Sequence, residues 1–261
     1  MRQYFESESD SLEATRRHFV ESLRFPFIVV TMLWIVHFWQ MAAEWDPAEF
    51  GIISRRVYGI RGMVTGPLVH GSWGHLISNT FPMLVLTWMM TYFYRRVAQQ
   101  AFFAIYFLTG AMVWLFARPV SHIGASGVIY GLVAFIFWNG IFRRSLRSII
   151  LGAIVMLLYS GMFLGVLPDQ EGISWESHLL GGLVGIAVSY YFRDQLEEGE
   201  DEEERDPFAD ERNVEKQFFL PRDIFDKTKA QRQAEAEEEE RRKAEAARHF
   251  PPPFWNQDST L

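Results

Sequence analysis

Ser126 and His178 lie 52 positions apart, each in a long segment without charged residues. A serine hydroxyl is a weak nucleophile and needs a base within hydrogen-bond reach, and neutral imidazole suits proton exchange near neutral pH. These residue types in apolar surroundings indicate nucleophilic catalysis inside a membrane, with Ser126 as nucleophile and His178 as general base. Because no acidic residue lies within the apolar spans to serve as a third member, we predict a catalytic dyad.

Three further polar residues could complete such a site. His75 and Asn79 are four positions apart and so share one face of a helix. Their ring N–H and amide N–H could donate to the oxyanion of a tetrahedral intermediate, and the backbone N–H of Ser126 at a helix N-terminus would add a third donor. Tyr130, one turn beyond Ser126, could pack its ring against the imidazole of His178 and fix its orientation.

Six uncharged stretches must position these residues. A helix needs roughly 20 apolar residues to cross the hydrocarbon, which five stretches supply, and the sixth can span if Glu176 and Arg193 lie at the interfaces. We therefore predict an all-α membrane protein with six transmembrane helices. Six buried helices of a soluble protein are disfavoured, because few charged residues remain to coat their outer faces. The predicted helices cover residues 26–43, 75–94, 100–117, 126–142, 149–166 and 176–192.

The distribution of basic residues predicts the orientation of these helices. If the N-terminus is cytoplasmic, ten arginines near helix ends lie inside and four lie outside, which favours an N-in, C-in topology. The second, fourth and sixth helices then all run from outside to inside. The polar residues at or near their starts would meet at one depth near the outer surface, namely His70, His75, Asn79, Ser126 and His178.

Glycine residues near the serine and the histidine predict close helix packing. Gly124 and Gly127 bracket the serine and permit a tight turn. Gly181 and Gly185 are four positions apart just after the histidine, and this small-xxx-small pattern allows a neighbouring helix to approach closely. Gly127 and Gly131 form a matching face, so packing of the fourth helix on the sixth should bring the serine and histidine together.

The chain divides into three parts by composition. Residues 1–24 form a polar segment expected on the cytoplasmic side, residues 25–193 form the membrane domain, and residues 194–261 form an acidic cytoplasmic tail. The tail holds 21 acidic and 11 basic residues, whereas the net charge of the whole chain is only −7. Its composition predicts disorder, apart from a charged run at 231–248 that could form a solvated helix.

No cofactor is expected. The chain has no cysteine, which excludes thiol catalysis and Cys-ligated metal sites. A metal site formed by histidines is a weak alternative, because no carboxylate lies beside them in the spans and their spacing is not diagnostic. The histidines concerned are His70, His75, His122 and His178. A small transporter is another alternative, but it would need charged or broken helices at mid-membrane, and none is evident in the sequence.

These motifs together resemble those of the rhomboid family of intramembrane serine proteases. The resemblance covers about residues 50–193, and two departures from the family pattern are Ile60-Arg61 in place of Trp-Arg and Ser177 in place of alanine before the histidine. It rests on the order, spacing and helix placement of His70…His75…Asn79, of Gly124-Ala125-Ser126-Gly127 with Tyr130, and of Ser177-His178 with Gly181 and Gly185.

The resemblance implies a six-helix rhomboid-like bundle that cleaves transmembrane segments near the outer leaflet. Ser126 would be the nucleophile, His178 the base, and His75, Asn79 and backbone amides the oxyanion donors. Water would reach a cavity open to the outer side. Substrate helices would approach laterally, with the fifth helix and the loop at 167–176 as gate and cap.

The expected setting follows from the same resemblance. The protein would be a multi-pass integral membrane protein, with the bacterial plasma membrane as its expected location. Its expected partners are the lipid bilayer and transmembrane protein substrates, with no nucleic acid, while the sequence indicates no specific partner for the tail. A catalytically silent relative that binds transmembrane clients is the alternative.

Overall fold

The computed structural model describes residues 2–168, 174–195 and 228–249, and most of these are helical. In chain order the helices are α1 (Arg2–Ala42), α2 (Gly62–Thr65), α3 (Trp73–Phe93), α4 (Ala98–Phe116), α5 (Ser126–Arg143), α6 (Leu146–Leu158), α7 (Trp175–Phe192) and α8 (Lys229–His249). Short 3₁₀ turns cover Pro47–Phe50, Val57–Arg61 and Ser160–Val166, and two short strands are β1 (Ile52–Ile53) and β2 (Ser121–His122).

Five of the six helices predicted from the uncharged stretches are present, and the fifth in chain order is present in part. The second, third, fourth and sixth are α3, α4, α5 and α7, and each differs from its predicted bounds by only one to a few residues. The fifth is not one straight helix, because α6 ends at Leu158 and a bent 3₁₀ turn, Ser160–Val166, continues the segment.

Length and composition identify fewer membrane spans than helices. Three helices of the described part are long and apolar enough to cross a membrane, namely Leu12–Ala42, α4 and α5, and α6 with its bent 3₁₀ turn could be a fourth. α3 and α7 carry polar residues of the candidate site, which lowers their mean hydropathy. The six-span, N-in, C-in topology therefore stays a prediction.

α1 extends much further towards the N-terminus than the predicted first helix, since it begins at Arg2 and passes through Pro26. Proline cannot donate to the carbonyl four residues earlier and therefore usually ends or bends a helix. Here that carbonyl belongs to Ser22, and the hydroxyl of Thr91 on α3 donates to it at 2.7 Å. A neighbouring helix thus supplies the missing hydrogen bond, and the polar segment at 1–24 is continuous with the first apolar stretch.

The backbones of α5 and α7 approach each other closely. A Cβ atom placed on Gly181 would lie 2.0 Å from the carbonyl oxygen of Gly127, and one on Gly185 would lie 2.1 Å from that of Gly131. Only glycine fits at this spacing, so the predicted small-xxx-small contact is confirmed. The buried core continues from this contact into α3 and α4, with Leu86, Ile105, Phe135 and Val188 among its side chains.

The tail is described only in part. The chain forms two compact units, Met1–Glu204 and Arg205–Leu261. In the second unit the charged run at 231–248, for which the sequence allowed a solvated helix, lies within α8. Its charges are spaced to pair along the helix, as Lys243 does with Glu239 at 2.9 Å. The rest of the acidic tail beyond 195, and 169–173 of the predicted cap, lie outside the described residues.

Candidate active site

Ser126 and His178 meet where α5 and α7 begin. Ser126 is the first residue of α5, and its Oγ lies 2.7 Å from Nε2 of His178, one turn into α7. The glycine contact described above brings the two backbones close enough for this side-chain contact. A nucleophile and a base within hydrogen-bond distance are the geometry that proton transfer from the hydroxyl requires.

The other ring nitrogen of His178 defines its protonation. Nδ1 lies 2.8 Å from the carbonyl oxygen of Gly165. A carbonyl can only accept, so Nδ1 carries the proton and donates it. In the neutral ring Nε2 is then the acceptor for the hydroxyl of Ser126. The carbonyl of Gly165 therefore holds His178 in the tautomer that a general base needs.

Tyr130 packs on the imidazole as the sequence predicts. The two rings are stacked, with centroids 4.1 Å apart and an interplanar angle of 10°. The hydroxyl of Tyr130 donates to the carbonyl oxygen of Met162, so both ends of the tyrosine are fixed. Met162 and Gly165 belong to the same 3₁₀ turn, which therefore orients both rings of the stack.

A left-handed turn precedes the serine. Gly124 has φ of 96°, a conformation that favours glycine, and its N–H donates to the carbonyl of Gly66 at 2.9 Å. α5 begins two residues later, so the N–H of Ser126 is one of the first-turn donors that have no carbonyl partner within their own helix. This end of α5 also carries the positive end of the helix dipole.

The two predicted oxyanion donors lie on α3 beside this turn. A Cβ atom on Gly124 would lie 2.5 Å from Nε2 of His75, so the imidazole of His75 is packed directly against the turn. Asn79 is buried, and its Nδ2 donates to the backbone carbonyl of His75 at 2.9 Å. One N–H of the Asn79 amide is thus used within α3, and the second is the one that could serve an oxyanion.

His70 packs behind His75, further from the reacting groups. Its ring lies against His75 with centroids 5.0 Å apart, and its backbone is held by Gln40 of α1, whose Nε2 donates to the carbonyl of His70 at 2.9 Å. Burial, with a smaller contribution from His75, lowers the pKa of His70 to about 4. His70 therefore supports His75 rather than contacting the Ser126–His178 pair.

The four histidines of the metal alternative do not form one site. Both ring nitrogens of His178 are engaged by Gly165 and Ser126. Those of His122 lie 2.5 Å from the hydroxyl of Ser174 and 2.9 Å from the carbonyl of Arg118. Within the described residues, no group of three or more His, Asp or Glu side chains is arranged to hold a metal ion.

Sequence reasoning missed the carbonyl groups of Met162 and Gly165. Every residue type carries a backbone carbonyl. The acceptor for Nδ1 of His178 therefore could not be predicted from the sequence. The one clue is that position 165 is glycine. A Cβ atom there would lie 2.2 Å from the hydroxyl of Tyr130 and 3.1 Å from Nδ1 of His178.

Comparisons with known proteins identify the family of this chain. The family model described as Rhomboid domain matches residues 57–195. An uncharacterized protein of Mycobacterium tuberculosis is 36% identical over 149 residues, which are 54% of this chain and 62% of that protein. One from Mycobacterium leprae is 34% identical over 146 residues, which are 49% of this chain and 55% of that protein.

A more distant relative carries a functional name. It is the rhomboid-like protease 5 of Toxoplasma gondii, which is 25% identical over 165 residues, covering 55% of this chain and 19% of that protein. The chain spans less than two thirds of the length of the mycobacterial relatives. The matched region of the family model includes α3, α4, α5, α6 and α7, and thus every residue of the candidate site described above. The chain belongs to the rhomboid family.

Proposed function

We propose that this protein is an intramembrane serine endopeptidase that cleaves transmembrane segments of other proteins with a Ser126–His178 dyad. The observation that carries the proposal is the contact of 2.7 Å between Ser126 Oγ and His178 Nε2, in a ring whose Nδ1 is tied to a carbonyl. Membership of the rhomboid family and the name of the Toxoplasma gondii relative support the same chemistry.

The first step is acylation of the serine. Ser126 Oγ attacks the carbonyl carbon of the scissile peptide bond while Nε2 of His178 takes the hydroxyl proton. The imidazolium that forms keeps its Nδ1–H on the carbonyl of Gly165 and its face on Tyr130. It then returns the proton to the leaving amine, which departs as the peptide bond breaks. Water attacks the acyl-enzyme in the second half of the reaction, with His178 again acting as base.

The oxyanion of each tetrahedral intermediate needs hydrogen-bond donors at the start of α5. We assign this role to the backbone N–H of Ser126, the ring N–H of His75 and the amide of Asn79. The imidazole of His75 packs on the turn at Gly124, two residues before Ser126, because glycine has no side chain that would separate the ring from the turn. A single donor of this kind contributes roughly 10²- to 10³-fold to kcat.

The position of the dyad supports a cut near one membrane surface. Both residues lie in the first turn of their helices, so a substrate would be cut near one membrane surface rather than at mid-membrane. With the N-terminus cytoplasmic, as the arginine distribution predicts, that surface is the outer one. The mycobacterial relatives favour a bacterial plasma membrane as the location.

The test is cleavage of a transmembrane substrate by the purified protein in liposomes. We expect the wild type to release a fluorescent fragment, and Ser126→Ala to reduce the rate by on the order of 10⁶-fold, which is to background. His178→Ala should be comparably inactive. Ser189→Ala and His18→Ala serve as matched controls. The hydroxyl of Ser189 has no hydrogen-bond partner within the described residues, and His18 contacts Tyr92 at the end of α3 opposite the site.

The outcomes separate the enzyme from a silent relative. Activity that depends on Ser126 and His178 but not on the control residues supports the proposal. A wild type that binds the substrate helix without cutting it would favour the client-binding alternative. Cleavage that persists in Ser126→Ala would contradict the assigned nucleophile.

A further inference from the structure

A cluster of polar side chains connects the chain just before Ser126 to the chain just before His178. One part lies in the loop between α4 and α5, and the other lies at the start of α7. The cluster is separate from the reacting groups, and none of its members was assigned a role in the hydrolysis above. We call it the polar clamp, and it consists of Arg118, His122, Ser174, Glu176 and Ser177.

An ion pair forms one half of the polar clamp. Arg118 donates from Nε and Nη2 to the two carboxylate oxygens of Glu176, the second at 3.1 Å. The Glu176 side chain is 8% exposed, whereas that of Arg118 is 58% exposed. A buried carboxylate is costly unless it is paired and hydrogen-bonded, so the first turn of α7 needs Arg118 to keep Glu176 in place.

A chain of hydrogen bonds forms the other half, and its direction can be deduced. His122 Nε2 lies 2.9 Å from the carbonyl of Arg118, which can only accept, so Nε2 carries the ring proton. Nδ1 of the neutral ring then accepts from the hydroxyl of Ser174 at 2.5 Å. With its proton used there, Ser174 accepts from the hydroxyl of Ser177 at 2.6 Å. Burial lowers the pKa of His122, which is consistent with a neutral ring at pH 7.

Both ends of this chain are fixed to the backbone near the dyad. His122 lies four residues before Ser126, and its backbone is paired with Ile52 in the antiparallel β1–β2 contact. The N–H of His178 donates to the carbonyl of Ser174 at 3.3 Å. The carbonyl of Ser177 packs on α5, since a Cβ atom on Gly127 would lie only 3.1 Å from it. A shift of either segment would therefore change the distance between the serine and the histidine.

We propose that the polar clamp positions the Ser126–His178 pair by locking the first turn of α7 against the loop that precedes α5. The side chains of its five residues are positioning groups that contact neither the substrate nor the reacting atoms. This inference rests on the proposed function, because it concerns the rate of the same hydrolysis.

Steady-state cleavage kinetics in liposomes test the ion pair, with thermal denaturation as a check on folding. Arg118→Met leaves a buried carboxylate unpaired, and we expect kcat to fall about 10- to 100-fold, because displacements near 1 Å are that costly. KM should change less than about threefold, since the substrate is not contacted. Arg118→Lys keeps the charge and should restore most of kcat. Arg56→Met is the matched control, because Arg56 is an exposed arginine of the segment between α1 and α2.

Ser174→Ala tests the hydrogen-bond chain without leaving a buried charge. The loss of this hydroxyl should lower kcat about 2- to 10-fold, with the melting temperature near that of the wild type. Ser189→Ala removes a hydroxyl that has no hydrogen-bond partner within the described residues and should leave kcat unchanged.

The results that overturn the proposal differ from those that overturn the protease function. If Ser126→Ala abolishes cleavage but every polar-clamp variant keeps the wild-type kcat, the clamp has no positioning role while the protease function stands. A rise in KM at constant kcat, or equal rates for Arg118→Lys and Arg118→Met, would also refute it. An inactive wild type would contradict both the protease function and the positioning role of the polar clamp.

Discussion

The ring of Tyr130 lies flat against the imidazole of His178, with centroids 4.1 Å apart and planes 10° from parallel. Together with the Nδ1 contact to Gly165, this stack leaves the imidazole with one edge, Nε2, directed at the serine. A base that is already held in the reactive orientation need not be ordered in the transition state, and this lowers the activation barrier. The 3₁₀ turn Ser160–Val166 thus acts on the dyad through two carbonyl groups.

The stack predicts a graded effect of substitutions at Tyr130. Tyr130→Phe keeps the ring and loses only the bond to the carbonyl of Met162, so we expect kcat to fall about 2- to 10-fold. Tyr130→Ala frees one face of the imidazole and should lower kcat about 10²-fold. Cleavage rates in liposomes give both values, and equal rates for the two variants would show that the ring itself does not matter.

Gly165 should tolerate no side chain. A methyl group there would meet the Tyr130 hydroxyl and His178 Nδ1, so Gly165→Ala should reduce kcat by on the order of 10²-fold. Gly161 lies in the same 3₁₀ turn, and a Cβ atom on it would have no neighbour within 4 Å. Gly161→Ala is therefore the matched control, and equal activity of the two variants would rule out the proposed contact.

Two adjacent glycines of α7 should respond to alanine with opposite signs. A Cβ atom on Gly181 would collide with the carbonyl of Gly127, whereas one on Gly182 would have open space within 4 Å. Gly181→Ala should destabilise the protein by roughly 1–3 kcal/mol and reduce cleavage, because α5 and α7 must separate. Gly182→Ala should stabilise it by about 0.5–1 kcal/mol through helix propensity. Thermal denaturation in detergent measures both, and a stabilising effect at Gly181 would contradict the packing.

Acid should destabilise the fold through His70. Its folded pKa is about 4, below the ordinary value of 6.5, so the unfolded chain binds the proton more readily. The stabilising contribution is complete above pH 6.5 and is lost as the pH falls towards 4, up to on the order of 3 kcal/mol. The melting temperature of the wild type should therefore fall across this range, and His70→Asn should show a shallower slope. Parallel slopes for the two proteins would assign the acid sensitivity to other groups.

The sequence predicted the helices and the central pair for clear physical reasons. Uncharged runs located α3, α4, α5 and α7, because a charged residue is costly in hydrocarbon and therefore marks a helix end. The glycine spacing predicted the contact of α5 with α7, since only small residues permit backbones to approach so closely. That contact places Ser126 beside His178, which is why the proximity could be expected before any coordinates.

Other features depend on tertiary contacts that residue types do not reveal. The uncharged stretch predicted a first helix that begins at residue 26, but Thr91 of α3 supplies the hydrogen bond lost at Pro26 and α1 begins already at Arg2. Gly165 and Met162 act through backbone carbonyls. The pairing of Arg118 with Glu176 joins residues 58 positions apart, and the sequence placed both simply at the ends of apolar segments.

Covalent labelling of Ser126 tests the central claim most directly. A fluorophosphonate probe reacts only with a serine hydroxyl that a neighbouring base activates. Wild-type protein in liposomes is incubated with the probe, and the modified residue is located by mass spectrometry in parallel with His178→Ala. The account predicts a label on Ser126 of the wild type and none on the His178→Ala variant. An unlabelled Ser126, or equal labelling of the two proteins, would contradict it.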